Sequence, residues 1–252
     1  MLLDPTILLV ASLTFFIGGL SKGAMGFGLP LIAIPLLTAF GSLPLALSIA
    51  VPPVVATNFW QFWKFRRHRE VSFMPRFLVA GVVGVLIGAF ALKSIEDAYL
   101  EIILGSLVLF YLLSRSRKRN AVLTPKRQVK LAPYVGGLAG AVHGSMGLSG
   151  LIGTPFFHAS SLARPAFIFN NSAMFTVFSV LHIPALATVG LYQSSALLIG
   201  LIAMLPAFAG LWIGSFLGER LQASTFPILV QGMLTISAVL PIWNGITHLT
   251  SS

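Results

Sequence analysis

Lys22 lies inside an apolar stretch that runs from residue 6 to 40, and glycines at 23, 26 and 28 and a proline at 30 follow it. A lysine at bilayer depth costs about 2.5–3.5 kcal/mol on insertion scales, so its presence needs a physical reason. One reason is local: a break in the helix would put Lys22 near an interface or beside a freed carbonyl. The other is functional, a cation that faces an anionic substrate. Gly23, Gly26 and Gly28 allow close approach and unusual backbone angles, and Pro30 suits the first turn of a new helix. A helix starting near Leu29 would aim its N–H groups and positive dipole end at the break, which favours an anion there.

A matching arrangement recurs between residues 131 and 161, where Ser145 and Ser149 flank Gly147 and Gly150. Either serine is a candidate to cap a half-helix or to donate to an oxyanion. His143 falls just before this second break, beside the position that Met25 holds in the first. It is read as a packing residue or as a proton-sensitive group, which makes protons the candidate coupling ion. His158 and His182 are weaker candidates because neither sits in a repeated motif. Asn58, with Thr57 and Gln61, and the pair Asn170 and Asn171 fall in the spans after each break, as interhelical hydrogen-bonding groups or extra donors to substrate. Pro52 and Pro53 are expected to kink the first of these spans.

The acidic residues number six, Asp4, Glu70, Glu96, Asp97, Glu101 and Glu219, and all fall at or near expected loops. Cation carriers and proton pumps commonly keep a carboxylate within the membrane. The balance here favours an anion. No HExxH, GxSxG, paired intramembrane carboxylates or GxxxxGK[ST] is present, and cysteine is absent. No catalytic residue, metal ligand or cofactor site is therefore expected.

These residues need elements that hold them in lipid. Of 252 residues, 56% are hydrophobic and 9% charged, far below the roughly 25% charged of a soluble domain. Apolar segments at 6–40, 43–63, 74–92, 98–114, 131–161, 165–190, 194–217 and 225–247 give about eight spans of a multi-pass, all-α protein. The first and fifth are too long for one straight crossing of about 20 residues, and their central glycines predict a broken or re-entrant helix. The N-terminal run carries no basic n-region or cleavage site and reads as a retained first span.

GGLSKGAMGFGLPLIAIPLL (Gly18 to Leu37) resembles GGLAGAVHGSMGLSGLIGTPFF (Gly136 to Phe157), and GVLIGAFAL (Gly84 to Leu92) resembles GLWIGSFLG (Gly210 to Gly218). Matches in the same order predict two homologous repeats, 1–114 and 131–252, within a single membrane domain spanning 1–252. Whether the repeats are parallel or inverted depends on how the broken segments are counted. The formal net charge of +10 is concentrated in connectors at 64–70 and 115–130. Lying between apolar segments, these read as cytoplasmic loops at an inner (plasma) membrane rather than as a nucleic-acid site.

The opening motif, its second copy ending LSGLIGTPFF, the basic central loop and the length together resemble the sulfite exporter TauE/SafE family over nearly the whole chain. The family's glycine cluster followed by proline is matched at Gly26, Gly28 and Pro35, and again at Gly147, Gly150 and Pro155; Leu29 and Ser149 depart from a full glycine triplet. The resemblance implies a multi-span transporter of sulfite, organosulfonates, thiosulfate or other small anions, often outward. The expected function is thus secondary transport of a small anion by alternating access at the interface of the repeats. The alternatives are a channel or permease for another solute, or a non-transporting assembly or sensor subunit. Substrate, direction and oligomeric state are left open.

Overall fold

The computed structural model describes residues 5–69, 72–116, 122–193, 196–220 and 225–251, and all of the regular structure among them is helical. The helices are α1 (Pro5–Met25), α2 (Leu29–Thr38), α3 (Leu43–Lys64), α4 (Met74–Ser94), α5 (Asp97–Ser116), α6 (Pro125–Met146), α7 (Gly150–Ala159), α8 (Arg164–Thr188), α9 (Ala196–Arg220) and α10 (Thr225–Ser251). Each over-long segment is divided where its glycines predicted. Five helices, α1, α3, α4, α8 and α9, are long and apolar enough to cross a membrane.

Two expectations change. Helix α6 begins at Pro125, so Lys126, Arg127 and Lys130, read as loop residues, stand exposed on its first turns. Residues 117–121 of the basic connector, and Asp4 and Glu70, lie outside the described residues. Glu101 does not lie at a loop: it is buried one turn inside α5, with His248 Nδ1 of α10 at 3.6 Å.

The chain forms two compact units. The first comprises residues 1–53, 95–117 and 192–252, and its main pairings are α1 with α9, α5 with α10, and α1 with α2. Helix α3 runs unbroken through Pro52 and Pro53, and there it passes from the first unit to the second. The carbonyl of Ile49, which Pro53 cannot bond for want of an N–H, packs in the first unit against Gly200 of α9, where a Cβ would come within 2.6 Å of it. The second unit comprises residues 54–94 and 118–191 and is built around α4 on α6, with α7 and α8 against them. A cluster of Phe73, Phe77, Phe156, Phe157 and Phe178 fills its core, with stacked and edge-on pairs 5.1–6.3 Å apart.

In both units the principal pairing is backbone against backbone. In the first, Gly19 and Gly23 of α1 face the Ala207 and Leu211 carbonyls of α9, while Gly210 and Gly214 of α9 face those of Phe16 and Leu20; a Cβ at any of them would overlap its neighbour. In the second, Gly136, Gly140 and Gly144 of α6 interlock with Gly84 and Gly88 of α4 in the same way. Lipid offers helices no hydrophobic drive to associate, so close approach through small residues at four-residue spacing supplies the van der Waals contact instead. Each broken helix is thus clasped by a glycine-faced helix from the other half of the sequence.

Candidate functional site at the two helix breaks

In the first break, α1 ends at Met25 and Gly26 takes a left-handed conformation (φ 84°), its N–H donating to the Lys22 carbonyl at 2.7 Å. Gly28 is also left-handed (φ 114°), and a Cβ there would overlap the Ser21 hydroxyl. Both angles are strained for any residue with a side chain, so these two glycines make the reversal possible. Leu29, the first residue of α2, packs its backbone on Gly18, so α2 doubles back along α1. Ten residues of helix span about 15 Å, half the hydrocarbon core, so α2 is a half-length helix turned back on the longer α1. Pro30 occupies the first turn of α2, as its fixed φ and missing N–H favour. Lys22 is 1% exposed. Gly23 belongs to the seam between α1 and α9.

The second break repeats the first left-handed glycine but not the second: Ser149, at the place of Gly28, is right-handed (φ −51°), and the side chains differ. Helix α6 ends at Met146, Gly147 is left-handed (φ 70°), and its N–H donates to the His143 carbonyl at 2.7 Å. His143 therefore stands where Lys22 stands in the first break, and not beside the place of Met25. Both residues lie four before the capping glycine, and His143 is 2% exposed.

Ser149 sits at the N-cap of α7 without capping it: its hydroxyl is 3.0 Å from His143 Nδ1. The N–H groups of Leu151, Ile152 and Gly153 turn back onto the Leu148 and Ser149 carbonyls. Ser145 donates to the Ala141 carbonyl of its own helix at 2.9 Å. Gly150 packs against the Phe175 ring, 3.1 Å from a Cβ built there.

Helix α8 lays a polar stripe along this break. From one end, Asn171 Oδ1 accepts from the Thr154 hydroxyl (2.9 Å), Ser179 Oγ lies 3.3 Å from His143 Nε2, and His182 Nε2 donates to the Gly144 carbonyl (2.9 Å). Asn170 Nδ2 and Asn58 Nδ2 each donate to a carbonyl of their own helix, and the Ser172 hydroxyl donates to Gln61 Oε1, tying α8 to the second half of α3. Asn170 Oδ1 and Asn171 Nδ2 are buried without a hydrogen-bond partner. Thr154 and Ser179 are additions to the residues singled out in the sequence. For Ser179 the signal was helical spacing, since Asn171, Ser179 and His182 recur on one face of α8; Thr154, on α7, carried none. His158 stands apart, exposed at the end of α7 with its ring on Phe167.

The Thr154–Asn171 bond gives a stability prediction. Thr154→Val should keep the shape of α7 but leave Asn171 with a second unsatisfied group, lowering stability by about 1–3 kcal/mol. Thermal unfolding of the purified protein in detergent checks this, and an unchanged midpoint would show that the bond contributes nothing.

The family model for Sulfite exporter TauE/SafE matches residues 11–240, which takes in both breaks and both glycine-faced helices. The chain belongs to the sulfite exporter TauE/SafE family. It is therefore a membrane protein of a transporter family for sulfite and similar small anions. The chain matches no curated protein and no solved structure. Within the TauE/SafE match, the recurring glycine–proline signature coincides with the two points where a long helix turns back into a half-length one.

Proposed function

We propose that the protein is a secondary transporter, working as an exporter in the inner (plasma) membrane, that moves a small oxyanion such as sulfite or an organosulfonate by alternating access. The observation that carries this reading is Lys22: a lysine, 1% exposed, one turn before the break that opens into α2. Charges within a membrane domain persist where they meet a substrate, an ion pathway or a partner. The short helix beyond the break adds a positive dipole end, and in the second break Asn171 Nδ2 is a buried donor with no protein acceptor. We read 1–114 and 131–252 as two repeats of one ancestral unit, each contributing a broken helix and a glycine-faced helix. Lys22 supplies charge at the first break, whose backbone Gly26 and Gly28 shape; Gly147 and Ser149 shape the second break.

The test is flux in proteoliposomes together with a thermal-shift screen against sulfite, sulfate, thiosulfate, sulfonates and carboxylates. A ligand present at about 100 times its dissociation constant stabilises the native state by about 2.7 kcal/mol. Flux and stabilisation by sulfite or a sulfonate, with no response to a panel of cations, are expected. Cation flux would point to a different permease. Neither flux nor stabilisation would favour a non-transporting assembly or sensor subunit.

A further inference from the structure

We propose that His143 is the seat of the coupling proton, in a break whose counterpart carries lysine at the equivalent position. The proposal rests on the anion-transport reading above and adds how that transport is driven. Its first support is positional. The two breaks share their helix ends, their left-handed glycine cap and the carbonyl that the cap bonds, and at the equivalent position one carries lysine and the other histidine.

The second support is the company the ring keeps. His143 Nδ1 lies 3.0 Å from the Ser149 hydroxyl and Nε2 lies 3.3 Å from the Ser179 hydroxyl. A hydroxyl both donates and accepts, and rotates to suit. With the ring neutral, one nitrogen donates to its serine and the other accepts from its serine. With the ring protonated, both nitrogens donate and both hydroxyls accept. The seat therefore keeps two hydrogen bonds in either charge state and needs no movement to change between them. A carbonyl partner would fix a proton on the nitrogen it faces, as the Gly144 carbonyl does for His182 Nε2.

The surroundings set what else can share the charge. From α8, His182 is the titratable group that faces His143, with ring centroids 5.2 Å apart, and Phe175 and Phe178 meet the ring edge-on. Two imidazolium rings at that separation would repel, so the pair takes up no more than one added proton. From α7, His158 is exposed at the far end; from α4, Arg76 and Lys93 are exposed near its two ends; on α6 itself, Lys126, Arg127 and Lys130 are exposed at the opposite end. Among the described residues of this unit no carboxylate accompanies the ring, and an anionic substrate would serve as the counter-charge for its protonated form.

The experiment reconstitutes the full chain and follows methanesulfonate, whose charge stays constant over the range of about pH 5 to 8 in which histidine titrates. Two readouts are compared, uphill accumulation driven by an imposed pH gradient and self-exchange at equal pH. In wild type both are expected, and the sign of the accumulation distinguishes co-transport from exchange with protons. His143→Gln should lower gradient-driven accumulation by about tenfold or more beyond its effect on self-exchange, within the usual range of coupling between two sites. His143→Lys, which copies the first break, should behave likewise. Ser179→Ala leaves the protonated ring one acceptor short and should weaken the gradient response more than it weakens exchange, which carries the test if the ring variants fail to fold. A gradient response unchanged in these variants would overturn the proposal. Absence of any anion movement in wild type would overturn the transport reading first, and this proposal with it.

Discussion

Lys22→Ala is expected to abolish anion flux in proteoliposomes while leaving the protein expressed and folded. At an effective dielectric near 20, a unit charge about 4 Å from an anion is worth about 4 kcal/mol, close to three powers of ten in equilibrium. Loss of that attraction should lower flux by at least about 100-fold, and weaken thermal stabilisation by sulfite to match. Lys22→Met separates charge from shape. Its chain fills much of the same buried volume without an ion to desolvate, so the variant should be as stable as wild type, or more so, while its flux falls equally. Lys22→Arg retains charge and should keep part of the activity. Flux unchanged in both neutral variants would remove the charge from the mechanism and leave Lys22 as a structural residue of the break.

The second large effect concerns packing. Gly140→Ala should strip the protein of its folded state in mild detergent, because the added Cβ would overlap the Gly81 carbonyl and force α4 and α6 apart along their length. Overpacking of this kind costs about 1–3 kcal/mol or more, and here the obstacle is backbone, which cannot rotate aside. Gly137→Ala, three residues earlier on the same helix, provides the control. A Cβ there meets only the Ala80 carbonyl at 3.7 Å, so it should be tolerated and should gain a little from helix propensity. Size-exclusion profiles and unfolding midpoints of the two variants check the contrast. Equal behaviour would mean that the glycine seam does not determine stability.

Much of this was legible in the sequence, because a membrane span has a required length and glycine and proline interrupt it visibly. The stretches 6–40 and 131–161 exceed one crossing, and each breaks at the glycines that carry positive φ. The register between the two similar stretches was harder. Matching Gly18 and Gly19 with Gly136 and Gly137 is as good by letters as matching the caps, and it places His143 beside Met25. Backbone geometry anchors the comparison at Gly26 and Gly147, where only the left-handed cap gives each glycine its meaning. The start of α6 was missed because the charges of Lys126, Arg127 and Lys130 suggested a loop, although Pro125 is a favoured first helical residue. The partner of Ser149 was out of reach for a different reason. Cap chemistry is local, whereas Ser149 and Ser179 converge on the two nitrogens of the His143 ring only after α6, α7 and α8 have packed.

The pairing of α1 with α9 has a consequence for the order of synthesis. Among the described helices α1 emerges first and its glycine-faced cover ninth, so Gly19, Gly23 and the neighbouring Lys22 enter the bilayer long before the surface that seals them exists. Contacts so distant in sequence form slowly, and until they form the exposed seam is open to other helices and to quality-control proteases. Damage late in the chain, at Gly210 or Gly214, should thus first become apparent as an unprotected α1.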